Sequence, residues 1–151
     1  MRAKLTLFFI ILLFLSITEA SVSVLIIKGK GTINLDCQGT LNMDVDGTVQ
    51  IVFNNPPNDL KITVSDSKKK VPELDDFSKG VSFSGKIEFS KEAKFMLSVN
   101  GTIISFRLEG EASGTVSGAG SYNINGKDYE LKKEGATINM REKIRGGGTT
   151  M

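Results

Sequence analysis

Residues Gly31–Asn54 read GTINLDCQGTLNMDVDGTVQIVFN, three octads in a row that each open on Gly-Thr. Every odd position from Ile33 to Phe53 is apolar or glycine, and every even position from Thr32 to Asn54 is polar except Val52. A period of two places one set of side chains in a core and the other in water, the pattern of half-buried β-strands. The parity also bears on how the octads join. A two-residue hairpin loop would exchange odd for even, and here the parity persists. The sequence therefore predicts three-residue loops at Gln38–Thr40 and Asp46–Thr48, with glycine at the left-handed position of a bulged turn. Short strands follow at Ile33–Cys37, Leu41–Val45 and Val49–Phe53. The alternative is one long bent strand, set second because strands rarely exceed about ten residues.

Working outward, Asn54–Asp59 (NNPPND) is a firm break, followed by an alternating strand at Leu60, Ile62 and Val64. A polar connector covers 66–80. Within it Val71–Phe77 (VPELDDF) predicts one helical turn with Pro72 at its start. The second half begins with an odd apolar set that includes Phe83, Ile87, Phe89, Phe95 and Val99, then changes after Asn100-Gly101 to the even set Ile104, Phe106 and Leu108. Asn-Gly is a strong signal for a two-residue hairpin turn, and such a turn exchanges the faces. The expected hairpin sets Phe95 opposite Phe106. A second Asn-Gly at Asn125-Gly126 sets Tyr122 opposite Tyr129, with Tyr129 and Leu131 turned inward, and Ala136, Ile138 and Met140 form a last strand.

Short connections imply sequential antiparallel neighbours. The fold expected is all-β, an antiparallel meander of about ten short strands closing into a β-barrel or a two-layer β-sandwich. The alternative architecture is β-solenoid-like stacking of the N-terminal octads. One domain occupies 21–140, and 141–151 reads as a loose tail. Ahead of it, a basic start, the apolar run Leu5–Ile17 and small residues at Thr18 and Ala20 form a secretory signal peptide over 1–20. The protein is thus expected to be secreted or held in the cell envelope, with no stable membrane span once that segment is removed.

Composition narrows the chemistry. The chain has no His and no Trp, which excludes Ser-His-Asp triads, Cys-His dyads and His-based metal sites. The formal net charge of +2 gives no reason to expect nucleic acid as a partner. Cys37 is the only cysteine, so no internal disulfide forms, and it lies in the apolar phase.

Gly110–Leu131 (GEASGTVSGAGSYNINGKDYEL) carries glycine or alanine at most positions of its inward face. Glycine in a strand admits close approach or a sharp bend. Phenylalanine rings filling the space above this strand is one reading. The other is an apolar ligand cavity lined by Gly114, Gly118, Gly120, Phe95, Phe106 and Tyr122. Asn42–Gly47 (NMDVDG) resembles the start of a calcium loop, and with hairpins between the octads Asp36, Asp44 and Asp46 would offer a loose Ca²⁺ site. Phe53 stands where the bidentate Glu of such a loop belongs, so no metal and no cofactor is assigned. The cluster Glu73, Asp75 and Asp76 is a carboxylate pairing of the kind glycosidases use, here in a polar connector. Asn100-Gly101-Thr102 is a glycosylation sequon at the expected hairpin tip. Thr32, Thr40 and Thr48 recur with Asn34, Asn42 and Gln50 two residues on, a ladder able to bind a surface polymer if the octads lay flat. These features predict a non-catalytic exported domain that works by surface binding or assembly, its partner a protein or surface polymer. The alternative is a carrier of an apolar small molecule.

Overall fold

The computed structural model describes residues 22–65 and 71–140. The expected signal peptide, the tail and the Lys68-Lys69-Lys70 run of the connector lie outside these residues. The protein is all-β: 76% of the described residues are strand, in one antiparallel sheet. The described residues form five strands, not ten. They are β1 (Val24–Asn54), β2 (Thr63–Ser65), β3 (Val81–Ile124), β4 (Lys127–Leu131) and β5 (Ala136–Asn139), with one short helix, α1 (Leu74–Lys79), between β2 and β3.

The loops expected at Gln38–Thr40 and Asp46–Thr48 do not exist. All three octads belong to β1, a single strand of 31 residues. Parity persists across them because the chain never turns back. The register explains how so long a strand stays compact. Gly31 and Gly47, sixteen residues apart in β1, both pair with Gly101 of β3, one on each edge. Neighbouring strands lie about 4.8 Å apart, so these two glycines sit about 10 Å apart, whereas sixteen extended residues would span about 53 Å. β1 must therefore coil, with β3 threaded between its successive turns. Phe106 lies between Ile27 and Met43, and Leu97 between Leu35 and Ile51, in the same sixteen-residue relation. The octads consequently do not stack on one another, as the solenoid alternative required, because β3 always separates them.

Glycine marks where the coil bends. Gly118, Gly31, Gly101 and Gly47 form one row across four adjacent strand passages, and Gly110, Gly39 and Ala93 form another, eight residues along β1. Gly31 has φ 142° and Gly118 has φ 137°. A Cβ on Gly31 would stand 2.0 Å from the Ser117 carbonyl oxygen and 2.7 Å from the Gly118 Cα. The missing side chains of the Gly110–Leu131 stretch thus make room for neighbouring backbone, not for phenyl rings.

The face exchange at Asn100-Gly101 also has a different cause from the one expected. Gly29 pairs with Ile104 and Gly31 with Gly101, so Lys30 alone opposes Thr102 and Ile103. This is a β-bulge, and one extra residue swaps the faces just as a two-residue turn would. Thr102 and Ile103 are both exposed in consequence. Farther back, Gly39 pairs with Ala93 and Leu41 with Phe89, so Thr40 opposes Ser90, Lys91 and Glu92. Two extra residues leave the parity unchanged. Phe95 accordingly lies between Cys37 and Phe53, and Phe106 between Ile27 and Met43, instead of opposite each other.

Asn125-Gly126 is a true turn. Asn125 has φ 52°, and Tyr122 pairs with Tyr129 as expected, their rings stacked at 5.0 Å. Tyr129 is 37% exposed because β4 is an edge strand whose inner side is left partly uncovered.

The odd set of β1 and both sets of β3 fill the interior of the coil. Ile33, Leu35, Cys37, Leu41, Met43, Val49, Ile51, Phe89, Phe95 and Phe106 are all buried. Burying a side chain of this size contributes about 1.5–3 kcal/mol. Phe53, Phe89 and Phe95 form a mutual cluster with centroids 5.0–5.9 Å apart. Phe77 of α1 packs edge-on against Phe83 at 5.7 Å and fastens the helix to the sheet. Among the described residues no polar or charged residue is buried.

Candidate binding face

The residues that stand together on the outside follow from the register. Between the Gly31 row and the Gly39 row, Ser117, Thr32, Asn100, Thr48 and Ser82 occupy consecutive strand passages. Two residues farther along the strands, Thr137 of β5 continues into Thr115, Asn34, Ser98 and Gln50. These ten positions form a grid with steps of about 4.8 Å across the strands and about 6.7 Å along them. All ten are exposed or half-exposed, and none is charged. Each carries both a donor and an acceptor. Ser98 Oγ donates to Asn34 Oδ1 at 2.8 Å, and Gln50 Nε2 donates to the Ser78 carbonyl at 3.0 Å, which ties the edge of the grid to α1. The next row holds Asn139, Ser113, Asp36, Met96 and Val52, where Met96 and Val52 are direct neighbours, 63% and 40% exposed.

Beyond each glycine row the outer surface changes character. The outward residues of β1 24–30 and 40–46 and of β3 84–90 and 103–109 include Lys28, Lys30, Asp44, Asp46, Lys86, Glu88, Arg107 and Glu109. Here Lys86 lies across from Asp44, and Glu88 across from Asn42. The grid's own segments carry charge only past it, at Asp36 in the next row and at Lys94 and Glu111 in the row after that.

The sequence candidates fall as follows. Asp36 and Asp44 lie on one continuous strand on opposite sides of the Gly39 row, Asp36 beside Met96 and Ser113, Asp44 beside Lys86 and Ser105. Asp46 lies across from Ser84 and Ile103. Without hairpins the three aspartates do not converge, and no group of three metal-ligating side chains occurs among the described residues. Phe95, Phe106 and Tyr122 point into the packed interior, at 1%, 1% and 8% exposure. Gly114 faces the backbone of Asn34 and Leu35, with a Cβ placed 2.1 Å from the Asn34 carbonyl oxygen. Gly118 and Gly120 face Lys30 and Lys28 in the same way.

Asn100 is no hairpin tip. It sits within β3 between Thr32 and Thr48, at the centre of the first uncharged row. Of the connector acids, Glu73 and Asp76 form the capping box of α1, the Glu73 N–H donating to Asp76 Oδ2 at 2.9 Å, and Asp75 pairs with Lys79 at 3.2 Å. The spacing of Thr32, Asn34, Thr48 and Gln50 hinted at the grid. Ser82, Ser98, Asn100, Thr115, Ser117 and Thr137, which complete it, carry no local signal, since only the register brings them between and beside the octads.

An apolar groove of about 680 Å³ lies elsewhere, lined by Pro57, Leu60, Ile62, Val64, Val71, Leu74 and Phe77 among others. Comparisons of the chain with protein-family models, with curated proteins and with solved structures find no match.

Proposed function

We propose that this is a non-catalytic exported β-domain that acts by surface binding in the cell envelope or outside the cell, and that its contact surface is the uncharged grid. The observation that carries the reading is the local absence of charge: ten adjacent outward positions without a charge, beside segments that carry eight and with Asp36, Lys94 and Glu111 only in the rows past them. A stable soluble domain gains nothing from such a division, because mixed surface charge serves solubility equally well everywhere. We also read the coil as flattened into two layers, since the glycine rows recur every eight residues along β1, which makes the grid one broad outer side. On this reading the N-terminal apolar run directs export and leaves no membrane span.

The test uses the full mature chain and the insoluble envelope fraction of its own host. Wild-type protein should co-sediment with that fraction. Asn34→Lys combined with Ser98→Lys should lower the bound amount about tenfold, and Ser105→Lys, on the charged segments, should leave it unchanged. Equal retention of all three proteins overturns the reading.

A second reading, carriage of an apolar small molecule, draws on the groove at Leu60, Ile62, Val71 and Leu74, where Val71 and Leu74 are 52% and 50% exposed. Its site would be this groove, outside the coil. Native mass spectrometry of protein purified from its host decides it: a bound mass lost in Leu74→Asp supports carriage, and a bare chain rejects it.

A further inference from the structure

Resting on that reading, we infer that the partner of the grid is a neutral polysaccharide. The ten grid positions offer no counter-charge, and the charges nearest them on the same segments, Asp36, Glu111 and Lys94, are two acids and one base, so an anionic polymer or a phosphate-bearing surface gains no net attraction there. An apolar partner is excluded by the opposite consideration. It would strip water from ten hydroxyl and amide groups and return no hydrogen bonds, which is costly for each group left unmade. What matches ten side chains that both donate and accept is a partner whose own groups also do both, at high density and over a distance of several strands. Sugar hydroxyls have this character, directly or through bridging water.

The exposed neighbours Met96 and Val52 supply the second element. Sugar rings present C–H faces as well as hydroxyls, and an apolar pair beside a polar grid meets both. From Thr32 to Asn54, Val52 is the one break in the polar phase of β1. No buried partner accounts for it, because its side chain stands outside the sheet. The repeat of the grid also suits a repeating ligand: a chain laid across the strands meets a new hydroxyl or amide every 4.8 Å or so, so several registers are close in energy and many weak contacts add.

The experiment measures retention of the intact mature chain on insoluble cellulose, chitin, linear β-1,3-glucan and starch, with calcium alginate as the acidic control. The expected result is retention on at least one neutral polymer and none on alginate. Asn34→Lys with Ser98→Lys should reduce it at least tenfold, Met96→Ala about threefold, and Ser105→Lys not at all. Circular dichroism of each variant establishes that it is folded. If no neutral polymer retains the protein while the grid variants still lose the host envelope, the polysaccharide assignment falls and the surface-binding reading stands. If retention ignores the grid variants, both fall. If sedimentation velocity finds a dimer that the grid variants abolish, the occupant is a second copy of the chain and the assignment falls equally.

Discussion

At Gly31 the backbone of the next strand occupies the volume a methyl group would need, 2.0 Å from the site of its Cβ, and φ 142° is itself a conformation that side chains avoid. Gly31→Ala is therefore expected to cost about 3 kcal/mol or more, from strain and loss of ladder hydrogen bonds together. Ser117→Ala, outward in the adjacent row beside Thr32, should cost no more than about 0.5 kcal/mol. Urea denaturation midpoints compare the two. At Asp59 the Lys91 side-chain hydrogen bond holds the carboxyl below its ordinary value. The sign follows: a carboxylate depressed in the folded state favours folding above its unfolded pKa, and that contribution is lost as pH falls through the folded value. An NMR titration should find the Asp59 midpoint below the ordinary range in the wild type and returned toward it in Lys91→Ala. Individual residues were also where the sequence spoke most clearly. Inside and outside could be read from parity at Ile33, Leu35, Met43, Phe95 and Phe106, because burial of alternate side chains is a local property of any strand. Glycine was ambiguous. Its spacing signalled a bend, but the same residue serves a turn and a crease, and the partner that distinguishes them is dozens of residues away.

Among the elements, β3 makes the sharpest test, since it contains one insertion of each parity. Removing Thr102 should abolish the single-residue bulge and force Ile104, Phe106 and Leu108 outward on one side of the site or misalign the ladder on the other. The variant is expected to lose cooperative unfolding. Removing Lys91 and Glu92 together takes out two of the three residues opposite Thr40 and keeps every face as it is. That deletion should cost only about 1 kcal/mol, the order of an exposed ion pair and a local adjustment. Denaturant m-values and midpoints for the two deletions check the contrast. The pair also explains why Asn100-Gly101 misled: a bulge and a tight turn leave the same alternation behind them. Asn125-Gly126 really does turn, and the residues around it do not announce the difference. The uncharged grid was half visible for a related reason. Thr32, Asn34, Thr48 and Gln50 share a strand and a spacing, whereas Ser98 and Asn100 enter only through the pairing of β3 between them.

For the whole molecule, the mutual winding of β1 and β3 leaves β1 without a ladder of its own and β3 with only short ones to β2, β4 and β5 among the described residues. Every ladder partner that β1 has belongs to β3. The peptides 22–80 and 81–140, prepared separately, should be unfolded by circular dichroism and should acquire the β signal when mixed at high concentration. A structured 22–80 peptide would contradict the register. Contacts this distant in sequence also place folding in the slow range of all-β domains, milliseconds to seconds. The same arrangement governs the order in which the protein can come into being. A ribosome completes β1 before it has made any of the residues from Val81 onward, so the leading half emerges as an open chain with nothing to zip against. Exported as proposed, a polypeptide in that condition would pass through a narrow translocation channel without first being unravelled, and would close into its coil only when the trailing half had followed it through.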